Sequence, residues 1–150
     1  MSVATRAQPS LVSALRLTPG VCVTLRPVGP PDAGVLQAYV RVLSPESRYN
    51  RFFGALSELS VMELDRVIHL DQKYKLALLA ETRVDGATTV IGEARFALAT
   101  NQLEGEFALS IADDWHGKGL GTLLVADITA ERGALARGIS LATYCVPTSA

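Results

Sequence analysis

Glycines at positions 117, 119 and 121 alternate with other residues in the segment HGKGLGT, which leads into an apolar run typical of a helix. A backbone without side chains lets several N–H groups point at one anion, and the first turn of a helix adds unpaired N–H groups and a partial positive charge. The segment therefore predicts a phosphate or pyrophosphate site formed by Gly117, Lys118, Gly119, Leu120, Gly121 and Thr122. The alternative is a tight turn that uses glycine for positive φ alone.

The spacing excludes two other phosphate-binding motifs. A dinucleotide fingerprint that starts at Gly117 requires glycine at position 122, which is Thr122. A Walker loop requires serine or threonine directly after the lysine, and Gly119 stands there.

Composition limits the size and partners of the protein. With 150 residues, 49% of them hydrophobic, the chain is long enough for one core, and we expect one domain at 21–150 after a loose N-terminal arm at 1–20. The net charge of -1 gives no field that would attract nucleic acid or an anionic membrane. We therefore predict neither of them as a partner.

The cysteines predict no metal site. Cys22 and Cys145 have neither CxxC nor metal-ligand spacing and lie in apolar, strand-like segments, so we expect buried free thiols in a reducing compartment. No apolar run reaches the roughly 18 residues of a membrane span. Together these features predict a cytoplasmic protein.

Hydrophobic periodicity predicts an α+β, or mixed α/β, fold. Strands are expected at 21–28, 75–83, 89–99, 106–114 and 139–146, and helices within 30–43, after the capping box of Ser60 and Glu63, and at 119–137. Asp85 and Gly86 predict a hairpin turn between two of the strands. The basic and aromatic segment from Ser44 to Gly54 is expected to be a loop that either is a solvated turn or lines a site.

HGKGLG, from His116 to Gly121, resembles the acyl-CoA loop of the GNAT superfamily of N-acetyltransferases. LSPESRYNRFF and EFALSIADDWHGKGLG resemble, more narrowly, the acetyltransferase domain of Pat-type bacterial protein lysine acetyltransferases. The resemblance extends from about Val23 to Ile139. It implies a GNAT-like fold, a mostly antiparallel central sheet flanked by helices, with acetyl-CoA bound across the sheet.

The resemblance also implies how acetyl-CoA binds. Its pyrophosphate would meet the N–H groups of residues 117–122, and its pantetheine arm would pair with the strand backbone at Leu109, Ser110 and Ile111. The N–H of Leu109 would polarise the thioester oxygen. His116 stands where the family has glutamine or arginine; because a neutral imidazole donates one hydrogen bond, we expect weaker binding.

Acetyl transfer needs a neutral amine, and a lysine with a pKa of about 10.4 is neutral in roughly one molecule in 2,500 at pH 7. Glu106 resembles the glutamate that Pat-type enzymes use as general base through water. The alternatives are a merely solvated carboxylate at Glu106, or Glu93 or Glu104 as the base. Ser110 is not expected to be a nucleophile, because no G-x-S-x-G elbow or nearby histidine accompanies it.

The sequence thus predicts an acetyl-CoA-dependent N-acetyltransferase whose acceptor is a primary amine, either a protein lysine or a small amine. The alternative is a non-catalytic acyl-CoA-binding regulatory module. The family fold continues past the strand at 139–146 and supplies a tyrosine as general acid, a position that Tyr144 does not occupy. We therefore expect a fold truncated after its fifth strand, whose exposed edge favours a homo-oligomer.

Overall fold

The computed structural model describes residues 18–71, 74–98, 105–132 and 142–145. Five strands among these residues form an antiparallel sheet in the order β4-β3-β2-β1-β5. The strands are β1 (Cys22–Pro27), β2 (Lys75–Val84), β3 (Ala87–Leu98), β4 (Gly105–Ile111) and β5 (Ala142–Cys145). The α+β class expected from periodicity is confirmed.

In the described part of the chain, four α-helices cover the two faces of the sheet: α1 (Ala33–Val42), α2 (Pro45–Phe52), α3 (Val61–Ile68) and α4 (Leu120–Arg132). Alternate residues of a strand point to opposite faces. Leu76 and Leu78 of β2 therefore pack in one core cluster with Leu120 and Leu124 of α4. Leu79 points to the other face and packs with side chains of α1 and α3. Because both faces of β2 are buried along residues 76–80, that part of the strand is a continuous apolar run.

Local signals in the sequence account for the turns and caps that join these elements. Asp85 and Gly86 have φ of 49° and 80°, as a two-residue hairpin turn of type I′ requires. At α3, the Ser60 hydroxyl accepts from the Glu63 N–H at 3.2 Å, and the Ser60 N–H donates to the Glu63 carboxylate at 2.7 Å. The predicted hairpin and capping box are both confirmed.

The expectation of a loop from Ser44 to Gly54 is wrong, because most of the segment is helix α2. The Ser44 hydroxyl accepts from the Ser47 N–H at 3.1 Å, and Pro45 occupies the first helical turn. Phe53 then ends the helix in a left-handed conformation. Serine as N-cap followed by proline is a helix start signal in the sequence, and the basic composition of the segment masked it.

The expectation of buried free thiols is also wrong for Cys22, which is exposed and disulfide-bonded. None of the described cysteines is free. Across the β1–β5 ladder, the residue opposite Cys22 is Cys145, the second of the two cysteines in the sequence. The spacing rules for cysteines did not indicate this arrangement, because strand pairing brings residues together that are far apart in the chain.

Several predicted features fall outside the described residues. They include most of the N-terminal arm, Glu104, the part of the last predicted helix beyond Arg132 and the ends of the last predicted strand. In the part of the chain that the structure describes, no helix combines the length and apolar character that crossing a membrane requires.

An ion pair with several hydrogen bonds joins β1 to the turn before α1. Arg26 donates to both carboxylate oxygens of Asp32 at 2.9 and 2.7 Å, and it also donates to Glu81 at 2.8 Å. The Gly29 N–H donates to Asp32 at 2.7 Å. The Arg26 hydrogen bonds lower the pKa of Asp32, so the folded state stabilises its charged form.

We expect Asp32→Asn to lower the free energy of unfolding by about 1–3 kcal/mol at pH 7, because it removes the charged acceptor of a partly buried guanidinium group. Since the pKa of Asp32 is lowered in the folded state, its contribution is complete above about pH 4 and is lost as the pH falls through the folded value. Urea unfolding at pH 7 and at several lower pH values measures both effects. Glu58→Gln, which removes an exposed partner of Arg41, is the control and should cost little. A stability difference for Asp32→Asn that stays constant into acid would contradict this assignment.

Candidate active site

The outer edge of β4 is open to a ligand. The Ala112 N–H donates to the Ile91 carbonyl at 2.8 Å, so in the alternating antiparallel ladder the backbone groups of Ser110 face β3. The backbone N–H and C=O groups of Phe107, Leu109 and Ile111 face away from the sheet. The expectation that the Ser110 backbone pairs with a ligand is therefore wrong, because its N–H and C=O face β3. No described strand pairs with this edge. It can therefore accept the amide groups of an extended ligand.

The glycine loop lies between β4 and α4. Gly117 and Gly119 have φ of 73° and 87°, which a residue with a side chain adopts only with strain. Leu123 is the residue whose N–H bonds to the Gly119 carbonyl, at 3.2 Å, so the N–H groups at Leu120, Gly121 and Thr122 precede the first bond of the helix. Gly121 differs from these two glycines, because its φ is one that any residue adopts. A Cβ added at Gly121 would lie 3.9 Å from its nearest neighbour, so neither backbone strain nor lack of space requires glycine there.

Two side chains of the loop interact with the protein itself. His116 Nε2 lies 2.8 Å from the carbonyl oxygen of Ile111, and since a carbonyl oxygen accepts, Nε2 donates. The ring thus occupies one backbone group of the open edge, and a ligand that pairs with Ile111 must displace it. The Lys118 ammonium lies 5.7 Å from the centre of the Trp115 ring and 3.5 Å from the Thr18 hydroxyl.

A groove of about 240 Å³, which we call the cofactor groove, separates α2 from β4. Its lining includes Leu109, Ser110, Ile111 and His116, together with residues of α2: Ser47, Asn50 and Arg51. Part of the segment from Ser44 to Gly54 therefore lines a cavity, and its second interpretation, that it lines a site, stays a prediction. Four of the residues predicted to bind the cofactor line this groove. The three α2 side chains that also line it were not predicted from the sequence.

Hydrogen bonds to Asp113 connect the start of α2 to the turn before the glycine loop. Its carboxylate accepts from the Ser47 hydroxyl at 2.6 Å and from the Ser44 N–H at 2.9 Å. The Ser47 hydrogen bond lowers the pKa of Asp113, so the carboxylate is charged at neutral pH. These hydrogen bonds thereby join the two walls of the cofactor groove.

A second, larger cavity of about 610 Å³, which we call the acceptor cavity, adjoins the other end of β4. Glu106 lines it and is exposed, so its carboxylate is accessible to water. The lining is otherwise cationic and apolar: Arg51, Lys75, Arg95, Phe53, Leu70, Leu76, Phe96, Ala97, Phe107 and Ala108. Arg51 lines both cavities, so they meet at its side chain.

Glu93 is engaged in a buried charge cluster at the junction of the two cavities. Its carboxylate accepts from Arg51 Nε at 2.6 Å and from Arg95 Nε at 2.9 Å. The side chain is 2% exposed. Because both oxygens are held by guanidinium groups and water does not reach them, Glu93 is not suited to receive a proton from an acceptor amine. Of these two carboxylates, Glu106 is the one that water reaches.

Ser110 is buried beneath the cofactor groove and connects this cluster to α1. Its hydroxyl lies 3.0 Å from the Tyr39 hydroxyl and 3.5 Å from the Glu93 carboxylate. Burial raises the pKa of Tyr39 far above its usual range, so the phenol stays neutral. These contacts are those of a structural polar residue; that Ser110 is not a nucleophile stays a prediction.

Comparison with known proteins identifies the architecture. The chain is 26% identical, with a TM-score of 0.65, to the crystal structure of the GNAT domain of S. lividans PAT, over 74% of this chain and 65% of that one. This chain has the GNAT fold. A domain from Methanocaldococcus jannaschii has a similar fold at 14% identity and a TM-score of 0.51, over 73% of this chain and 71% of that domain.

The GNAT-fold chain also has a curated relative, acetyltransferase PA5475 from Pseudomonas aeruginosa. The two are 32% identical over 109 residues, which are 73% of this chain and 59% of the relative. The chain thus spans about three fifths of the length of that relative. No family model matches the sequence. The resemblance to GNAT acetyltransferases that the glycine loop indicated is confirmed.

The chemistry of the described side chains does not point to a metal. Among the described residues, no group of three or more histidine, cysteine, aspartate or glutamate side chains has the geometry to hold a metal ion. The groups near β4 are instead backbone amides, a histidine, an exposed carboxylate and arginines.

Proposed function

We propose that this GNAT-fold protein is an acetyl-CoA-dependent N-acetyltransferase and that its acceptor is a protein lysine. The observation that carries the proposal is the arrangement along β4. The glycine loop and the start of α4 lie at one end of this strand, the open backbone of Leu109 lies in its middle, and Glu106 lines a separate cavity at its other end. The names of the similar proteins support the transferase class.

In the proposed complex, the N–H groups of residues 117–122 bind the pyrophosphate of acetyl-CoA. The pantetheine arm lies in the cofactor groove, where one of its amide N–H groups donates to the outward carbonyl of Leu109. The outward N–H of Leu109 is available to the thioester oxygen as negative charge develops on it. These interactions need the open edge of β4, because a paired edge would have no backbone groups left to bind the substrate.

The chemical step forms a C–N bond and breaks a C–S bond. Glu106 takes a proton from the ammonium form of the acceptor and passes it to solvent. The neutral amine attacks the thioester carbon, the thiolate of CoA leaves, and the thiolate takes up the proton that the new amide nitrogen loses. Three residues of strand, or about 10 Å, separate Glu106 from Leu109. Because this distance exceeds a hydrogen bond, the proton must pass through water, which reaches the exposed carboxylate of Glu106.

The decisive experiment follows CoA thiol release and peptide acetylation together, with acetyl-CoA and a set of unrelated lysine peptides. We expect thiol and acetyl-lysine to form in equal amounts, with none from peptides whose lysines are already acetylated. Polyamines serve as the small-amine alternative. Calorimetric binding of acetyl-CoA without turnover on any amine would instead support a non-catalytic acyl-CoA-binding module.

A further inference from the structure

The acceptor cavity has more positive than negative charge on its wall. Arg51, Lys75 and Arg95 line it, against Glu106 alone among the acidic residues. Glu93 lies behind the wall and shares one negative charge between Arg51 and Arg95. The pair of arginines is thus only partly neutralised within the described part of the chain, and a site of this kind favours an anionic ligand group.

Both arginines have hydrogen-bonding capacity left over. Arg51 Nη2 and Arg95 Nη2 are buried and have no hydrogen-bond partner among the described residues. The two guanidinium groups lie near the Phe52 ring, 4.8 and 6.0 Å from its centre, and the Arg51 side chain is 9% exposed. Buried donors are nearly always paired, so these two groups need a partner that the folded chain by itself does not supply.

We propose that the acceptor cavity binds the carboxylate of an acidic residue that flanks the target lysine in the acceptor protein. Arg51 and Arg95 present N–H groups suited to the two oxygens of a carboxylate, after a small rotation of the kind that side chains commonly make on binding. The lysine amine then lies toward the cofactor groove, on the side of Arg51 that the two cavities share. This inference rests on the proposed function and adds a sequence preference to it.

The rim of the cavity favours a protein over a free amino acid as the source of the carboxylate. Phe53 is 87% exposed and Phe107 is 41% exposed, and both line the cavity beside the arginines. Exposed aromatic side chains beside a charged pocket are typical of surfaces that bind other proteins. A free amino acid would engage the arginines but would leave these two rings in contact with water.

The first test measures binding alone, so it does not depend on turnover. Fluorescence anisotropy compares product peptides that contain acetyl-lysine and either glutamate or glutamine at each flanking position, with CoA present. We expect at least one position at which glutamate strengthens binding about tenfold over glutamine, and an advantage that shrinks as salt is added. Equal affinities at every position would overturn the proposal, and so would binding of free glutamate that equals or exceeds that of the best peptide.

The second test uses Arg95, which lines the acceptor cavity and not the cofactor groove. In Arg95→Gln, Glu93 keeps its ion pair with Arg51, and the preference for glutamate should fall from about tenfold to below about twofold. Arg95→Lys should keep part of it. Arg83→Gln is the matched control, because it removes the same charge at the exposed end of β2. This variant should keep the full preference for glutamate.

Acetyl-CoA affinity distinguishes this inference from the proposed function. We expect the affinity for acetyl-CoA to be unchanged in Arg95→Gln, and a measured wild-type affinity would also show that the variant is folded. A full glutamate preference in a folded Arg95→Gln variant would overturn the inference and leave the proposed acetyl transfer intact. Conversely, a glutamate preference in binding without any peptide acetylation would contradict the transfer reaction and support the site.

Discussion

Glu106→Gln is expected to lower turnover about 100-fold near pH 7 and to leave the affinity for acetyl-CoA nearly unchanged. Glutamine keeps the size of the side chain but cannot accept the amine proton. Because Glu106 is exposed at the wall of the acceptor cavity and lies outside the cofactor groove, its loss should not alter the contacts of acetyl-CoA. Steady-state rates with a lysine peptide, measured together with calorimetric affinities, separate the two quantities.

The dependence on pH distinguishes a base from a structural carboxylate. As the pH rises toward the pKa of the acceptor amine, more of the amine is neutral without help, so the deficit of Glu106→Gln should shrink. Glu58→Gln is the matched control, since it removes the same charge from an exposed pair that lines neither the acceptor cavity nor the cofactor groove. A deficit that is equal at every pH would argue against a base, and a loss confined to cofactor affinity would mean that Glu106 only supports the strand.

Patterns confined to neighbouring residues allowed much of the fold to be predicted. The alternation in β1, the Asp85-Gly86 turn and the Ser60–Glu63 capping box each depend on a few consecutive residues, and the structure contains all three. The glycine loop was recognised for the same reason. The helix after it begins at Leu120, one residue from the predicted start.

The parts of the site that depend on distant residues were not predicted. Glu93 and Arg95 share a face of β3 by parity, but nothing in the sequence shows that Arg51, 42 residues before Glu93, completes their ion pair. The same limit applies to the contact between Ser47 and Asp113, which joins α2 to the glycine loop. The segment from Ser44 to Gly54 was interpreted as a loop, and a loop has no regular periodicity from which the direction of its side chains can be inferred. Neither contact could therefore be predicted.

Gly119→Asp is expected to weaken acetyl-CoA binding at least about 100-fold, on the order of 3 kcal/mol. The substitution adds a negative charge directly before the first turn of α4, where the pyrophosphate is proposed to lie. If the pyrophosphate is the group that the loop recognises, 3′-dephospho-CoA should bind to the wild-type protein, because it retains that group. Isothermal titration calorimetry measures both affinities.

Gly119→Asn separates the effect of charge from the effect of backbone strain. Gly119 has φ of 87°, so any side chain strains the loop, and asparagine is close to aspartate in size and tolerates left-handed backbone best among such residues. Gly34→Asp places the same charge on the exposed start of α1, where an added Cβ meets no atom within 4 Å, and should bind acetyl-CoA normally. We expect asparagine to weaken binding far less than aspartate. Equal losses in Gly119→Asn and Gly119→Asp would mean that the loop needs glycine for its conformation alone, and wild-type affinity in Gly119→Asp would place the pyrophosphate elsewhere.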